Sequence, residues 1–360
     1  MESRKVQKVG ASTLSVSLPK EWAEANGLRK GDIVLFEPLK DGTLRVMPSR
    51  VGEAERGPAQ IEYVVNADLC DEVGMLGRVV VGNYVIGRNH LRIKSKSRIR
   101  SEHIQEVRSA VSKLMGLGIM METPDEIELQ CSIDAARFPM ETVIKRLYTI
   151  GATMQREAIE ALEKKDKSLA EDAVGREDEA DMIYWLALRL LLSAQADPSL
   201  AEKIGIHDSL PIVGNRLIAK NLEHVADYAD NIARNAVKIL DSGRALDPAV
   251  VRRLRKTSDT SAQIVADALA SIFVHDMHLA NKAIEAKARV EASEEDLLRE
   301  IVDASDDPAQ VASLRAILWS LRRIAEYGSE IAVIGINRYL ERSSALCRPV
   351  DEKEPRSRRG

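Results

Sequence analysis

The sequence predicts a mainly α-helical chain in which two three-helix bundles follow a small α+β module and an N-terminal domain of short strand hairpins. Three observations predict it. Aromatic residues supply only 4% of the 360 positions while 45% are apolar, and strands and their cores draw on aromatic side chains. Apolar residues recur at helical spacing, almost without interruption, from Phe138 to Arg342. Within that stretch Asn221 to Ala233, reading NLEHVADYADNIA, aligns without a gap with Ser320 to Ala332, reading SLRRIAEYGSEIA, so three helices occur twice.

Residues 1–50 read as strands at Lys5 to Val9, Thr13 to Leu18, Ile33 to Phe36 and Leu44 to Met47, with one helix from Pro19 to Asn26. Pro19 suits a first helical turn, Gly27 a C-terminal exit and Asp41-Gly42 a hairpin turn. Elements this short cannot bury a core alone, and intertwined dimerisation is the remedy. This segment holds nine Lys/Arg against six Asp/Glu, or +3, which leaves −7 of the net −4 for the remainder. A basic head on an acidic body points to an anionic partner, or to an ordinary fluctuation in charge.

Residues 51–60 have no apolar periodicity and contain Gly and Pro, which marks a linker. Residues 61–134 then alternate: a strand at Ile61 to Val65, a helix at Leu69 to Val80, a strand at Tyr84 to Ile93, a helix at Glu102 to Met115. A hairpin of Ile119 to Glu122 with Ile127 to Cys131 closes the α+β module. Gly74, Gly77 and Gly82 lie in or after its first helix and lack a P-loop lysine, so no nucleotide loop is read there.

Turns at Asp166-Lys167, Asp197-Pro198, Leu210-Pro211, Gly243 to Pro248, His275 to His278 and Asp306 to Pro308 divide the rest into six helices of roughly 25–30 residues. The two trios occupy 135–242 and 243–342, and 343–360, rich in Arg, Ser and Pro, read as a disordered tail. His275 and His278 read as a helix end.

Glu177 with Asp181, and Glu223 with Asp227, are four-residue pairs on two consecutive helices, the spacing at which carboxylates share a helix face. Ile218, Leu222, Val225, Ala229, Ile232, Ala236 and Ile239 make a heptad-like seam, and at about 100° per residue Glu223 and Asp227 fall nearly opposite it. Glu177 and Asp181 lie off the stripe of Ala180, Ile183, Ala187 and Leu190. The four acids therefore sit on the bundle surface, either as a solvated face or as a hard-cation site for Fe, Mg, Mn or Ca. His224, beside Glu223, is assigned to another face and a structural role.

No nucleophile elbow, kinase signature or metallohydrolase spacing occurs, so neither enzyme activity nor an organic cofactor is expected. Three cysteines, far apart and without CxxC spacing, indicate no disulfide framework. With no apolar run near the roughly 20 residues of a bilayer span and no signal core, the expected location is cytoplasmic and not membrane-embedded.

Two segments carry a family resemblance. Lys8-Val9-Gly10, Ser15 to Trp22 (SVSLPKEW) and Gly27 to Val34 (GLRKGDIV) resemble the swapped-hairpin domains of the SpoVT/AbrB and MazE superfamily. The resemblance implies a dimer that binds DNA, with Arg4, Lys5 and Lys8 placed to meet phosphates. The helical half, on Arg176 to Leu186 (REDEADMIYWL) and LEHVADYADNIA, resembles the PhoU phosphate-uptake regulators, which carry paired acidic motifs that can hold metal. That resemblance assigns Glu177, Asp181, Glu223 and Asp227 as ligands in the first repeat. In the second, Arg322 and Ala292 replace two of the acids and leave Asp296 and Glu326 as a degenerate site. The domain order resembles archaeal-type PhoU proteins. It implies a phosphate-responsive transcriptional regulator, or alternatively an adaptor that restrains a phosphate ABC transporter ATPase or its signalling partner.

Overall fold

The computed structural model describes residues 3–10, 13–38, 42–49, 61–207, 210–304, 307–348 and 350. The expected linker, Asp41 of the expected turn and the last ten residues lie outside that set. The chain divides into two compact units, residues 1–61 and 62–360.

In the first unit β1 (Gln7–Val9) pairs antiparallel with β2 (Thr13–Ser15), α1 (Lys20–Ala25) follows, and β3 (Val34–Pro38) pairs antiparallel with β4 (Leu44–Pro48). Gly10 and Gly27, at φ +70° and +65°, take left-handed turns that close the first hairpin and end the helix. No described residue of this unit is buried. Leu14, Val16, Ile33, Leu35 and Phe36 each remain more than half exposed.

The second unit opens with β5 (Glu62–Asn66), α2 (Met75–Val85), β6 (His90–Lys94), α3 (Ser101–Ser112), β7 (Leu117–Glu122) and β8 (Glu126–Cys131). The sheet order is β5-β6-β8-β7, with β5 and β6 parallel and the other pairs antiparallel. Its core joins Ile93, Ile127 and Leu129 to Leu76, Val80 and Val107 of the helices. The expected helix at Leu69 to Val80 is displaced: a 3-10 turn covers Ala67–Leu69 and α2 starts at Met75. Its entrance is built by Gly74 at φ +74° and by Glu106, whose carboxylate accepts the N–H groups of Gly74 at 2.7 Å and Gly77 at 3.1 Å. The strand expected from Tyr84 begins only at His90, because Tyr84 belongs to α2 and packs its ring in the core.

Among its described residues the helical region holds eight helices rather than six: α4 (Met140–Lys164), α5 (Lys167–Val174), α6 (Glu177–Ala196), α7 (Pro198–Lys203), α8 (Leu210–Asp241), α9 (Pro248–Val274), α10 (Met277–Ala304) and α11 (Pro308–Leu340). The second trio, α9 to α11, has the expected long helices. In the first, the middle helix breaks at Gly175-Arg176 and a short helix, α7, is capped by Asp197, whose side chain accepts from the N–H groups of Ser199 and Leu200. His275 ends α9 in the left-handed conformation at φ +53°.

The predicted seam of α8 is buried throughout, from Ile218 to Ile239. One apolar core runs through both trios, because α8 packs against α4 and α11, and α4 also meets α9. Two glycines allow close helix approach: a Cβ on Gly151 would sit 3.4 Å from the Ala226 backbone, and one on Gly328 2.9 Å from Ile264 Cγ2 and 3.1 Å from the Val265 nitrogen. Gln155 of α4, 1% exposed, donates to the Ser258 carbonyl and hydroxyl of α9, which ties the trios together inside the core. Residues 345–347 form a bend, with the Ser344 N–H on the Cys347 carbonyl at 2.8 Å.

Candidate metal centre

α6 begins directly after the Gly175-Arg176 break, which places Glu177 and Asp181 at its N-terminal end, where anionic side chains are favoured. α8 runs alongside and presents Glu223 and Asp227 to it. Glu223 is 8% exposed. The expectation that it lies opposite the seam is therefore corrected: α8 is covered by α4, α6 and α11 at once, so its buried arc is wider than a heptad stripe.

His224 requires a second correction. Its Nδ1 lies 3.3 Å from Glu223 Oε2 and 3.5 Å from Asp227 Oδ2. Glu223, His224 and Asp227 offer ligand atoms all within 4.8 Å of one another, the one such group of three among the described residues. Its ring stacks on Tyr327 of α11 at 4.7 Å, and Tyr327 in turn lies against Tyr228, which meets Trp319 edge-on. Burial and the neighbouring Lys220 lower the His224 pKa, and a neutral imidazole has a lone pair for a metal. Sequence reasoning missed this residue, although His224 and Asp227 stand at i,i+3, a spacing that shares a helix face.

Glu177 and Asp181 lie beside this group without joining it, and the acids act on one another through their charges. Burial, then Glu223 and Asp181, push the Asp227 carboxyl up to about 7, although it is 43% exposed. Asp181 is raised by burial and by Glu223, against the pull of Lys113, and Glu177 by burial and by Asp230 and Asp181. Three cations partly compensate. Lys220 holds Glu223 at 2.7 and 2.8 Å, Lys113 stands 2.9 Å from Asp178 and 3.6 Å from Asp181, and Arg234 pairs with Asp230 at 2.5 Å and Glu177 at 3.6 Å. Asp230 is 8% exposed and its Oδ1 is buried without a hydrogen-bond partner. Mutually repelling acids around a neutral imidazole, with the orphaned oxygen of Asp230 next to Glu177, form a donor set that fits a divalent or trivalent cation.

The second repeat differs. Arg322, aligned with Glu223, lies 3.0 Å from Glu326 and 3.5 Å from Glu294, and Arg323, aligned with His224, also pairs with Glu326. Asp296 is 63% exposed and pairs instead with Arg299 of its own helix. Asp296 and Glu326 thus share no ligand group among the described residues, and the carboxylate that faces Arg322 with Glu326 is Glu294. Arg4, Lys5 and Lys8 are exposed on and before β1.

Paired carboxylates on neighbouring helices of a repeated three-helix bundle, behind a hairpin unit, define a class. Residues 144–236 match the PhoU domain, and residues 7–53 match the bacterial antitoxin domain described as antidote-toxin recognition MazE. The chain thus carries a PhoU domain behind an N-terminal MazE-like hairpin domain. Its similar curated relatives include two phosphate-specific transport system accessory protein PhoU homologues. One, from Pseudomonas putida, is 24% identical over 198 residues, 52% of this chain and 73% of the relative. The other, from Xylella fastidiosa (strain 9a5c), is 24% identical over 220 residues, 59% of this chain and 88% of the relative. Solved structures include PhoU from Pseudomonas aeruginosa, with a TM-score of 0.49 at 19% identity over 55% of this chain and 94% of that one. The phosphate transport system regulatory protein PhoU from Streptococcus pneumoniae gives 0.48 at 17% over 56% and 94%. No helix among the described residues is long and apolar enough to cross a membrane.

Proposed function

We propose that this protein is a phosphate-responsive regulator of phosphate uptake that binds DNA as a homodimer through its N-terminal hairpins and a metal ion through its first helical trio. The observation that carries the reading is the junction of a MazE-like domain and a PhoU domain in one chain. A first unit with no buried described residue and a row of exposed apolar side chains supports dimerisation, since a second copy is what covers them. In that dimer Arg4, Lys5 and Lys8 of each protomer meet DNA phosphates, which supply affinity without choice of sequence.

For the metal, Glu223, His224 and Asp227 are the holding residues, with Asp181 and Glu177 beside them. An imidazole among carboxylates moves the preference from Mg and Ca toward Fe, Mn or Zn. The bound ion supplies charge that offsets the repulsion of the acids. The role is regulatory rather than enzymatic, in keeping with the accessory name of the relatives.

A second reading is favoured by those same names: an adaptor that docks on the phosphate transporter or its signalling partner, with the hairpins serving only to dimerise. The test is fluorescence anisotropy of the full-length protein, and of an Arg4→Ala, Lys5→Ala, Lys8→Ala variant, on DNA upstream of the host's phosphate-transporter genes over a salt series. Tight binding that weakens with salt and is lost in the variant is expected. Absence of binding by a folded, dimeric protein overturns the DNA reading in favour of the adaptor.

A further inference from the structure

Lys113 does not belong to the helical trio whose acids it meets. It caps the C-terminal end of α3 in the α+β module and reaches across to Asp178 and Asp181 of α6. The two bodies touch in a second place. Arg189 of α6, 4% exposed, donates to the carbonyls of Tyr84, Gly87 and Arg88 and to Asn89 Oδ1, so its guanidinium closes the C-terminal end of α2. Val85, Ile133 and Trp185 pack against both cores around it. Between this joint and Lys113 lies an open cleft of about 1040 Å³, walled by Val81, Val85 and Ala110 of the module and by Tyr184, Trp185 and Leu188 of α6. The module is therefore held at a buried joint on one side and by an ion pair on the other, with little packing between.

The two contacts differ in strength. Arg189 is buried and makes four hydrogen bonds, whereas Lys113 is 41% exposed and Asp178 71%, and ion pairs that exposed are weak. Asp181 also carries repulsion from Glu223. The weak side of the joint thus ends on Asp181, which stands beside the group that fits a cation.

We infer that Lys113 is a tethered counter-cation for this acidic group: it closes the α+β module onto the first trio in the metal-free chain, and a divalent cation captured by the group competes with it and frees the module to turn about Arg189. The inference rests on the metal-binding reading above and adds a regulator of that site.

Mn(II) titration of the full-length chain, followed by the loss of the free-ion EPR signal, is compared with Lys113→Met, which keeps the aliphatic stem and removes the charge. The variant is expected to bind about tenfold more tightly, the effect of one unit charge acting on a dication about 6 Å away through a water-like dielectric. Hydrogen exchange gives the second readout. Amides of α3 are expected to exchange faster in the wild type with Mn(II) than without it, and in Lys113→Met to exchange fast without the metal. Equal Mn(II) affinity in the two proteins, or α3 exchange unchanged by Mn(II) in the wild type, overturns the proposal and leaves the metal site standing. A wild type that binds no Mn(II) overturns both.

Discussion

His224 is the residue on which the chemistry of the acidic group turns. A helix wheel separates adjacent positions by about 100°, and that rule alone assigned it away from Glu223. Its side chain bends back along the helix, so that Nδ1 reaches the carboxylates before and after it while the ring rests on Tyr327. A wheel gives directions of Cβ atoms and says nothing of reach, and no single-sequence rule anticipates the Tyr327 shelf on a helix a hundred residues away. The acids themselves were legible from their four-residue spacing. Glu223→Ala with Asp227→Ala is expected to lower bound Mn(II) at least tenfold; because Glu223 is buried against a lysine, some loss of thermal stability accompanies it, while circular dichroism keeps its helical shape. His224→Ala is expected to weaken Mn(II) by about tenfold and to leave Mg(II) unaffected, since magnesium does not favour nitrogen donors. Isothermal titration with each ion checks this.

Among the elements, what the sequence made legible follows periodicity and what it hid follows backbone detail. The seam of α8, the hairpin of β7 and β8 and the helix ends at Asp197 and His275 came from pattern and turn chemistry. The break at Gly175-Arg176 did not, because apolar positions continue in phase on both sides. The start of α2 was missed because Glu106, thirty residues on, supplies the acceptors at its first turn. Burial opposes ionisation of Glu106, but the N–H groups of Gly74 and Gly77 and the charge of His103 outweigh it and hold its carboxyl below the ordinary 4.5. A depressed value contributes stability above the unfolded value and loses it as the pH falls through the folded one. Glu106→Ala is therefore expected to cost about 1–3 kcal/mol at pH 7, with the gap to wild type in urea titrations closing as the pH drops below 4.5. Gly328→Ala is expected to cost a similar amount, about 1–3 kcal/mol, because its methyl group would meet the Val265 backbone nitrogen, which has no rotamer by which to yield.

For the whole molecule, the proposed dimer rests on the first unit. Its exposed apolar side chains are spread over both hairpins, so the proposed partner copy would cover the hairpins together. Phe36→Asp is expected to shift the full-length protein from dimer toward monomer at micromolar concentration in light scattering, and to abolish DNA binding with it. If binding uses Arg4, Lys5 and Lys8 of two protomers, the slope of log affinity against log salt is expected to be near −5, at about −0.9 per phosphate neutralised. Removal of the three side chains should flatten it to near zero.

The two trios share an ancestor's plan but stand in different relations to the solution around them. Where α8 sets Glu223, His224 and Asp227 against a single lysine, α11 carries Arg322 and Arg323 locked onto Glu326. One copy meets its central glutamate with two arginines of its own helix; in the other Lys220 meets Glu223 and leaves Asp227 without a close lysine or arginine among the described residues, so on the proposed reading that copy takes a further cation from outside. Because Gln155 and the shared core fasten the copies together, an ion bound as proposed would alter one side of a joint whose other side stays constant. On that reading the duplicated half contains its own reference, against which the ion-binding copy is compared.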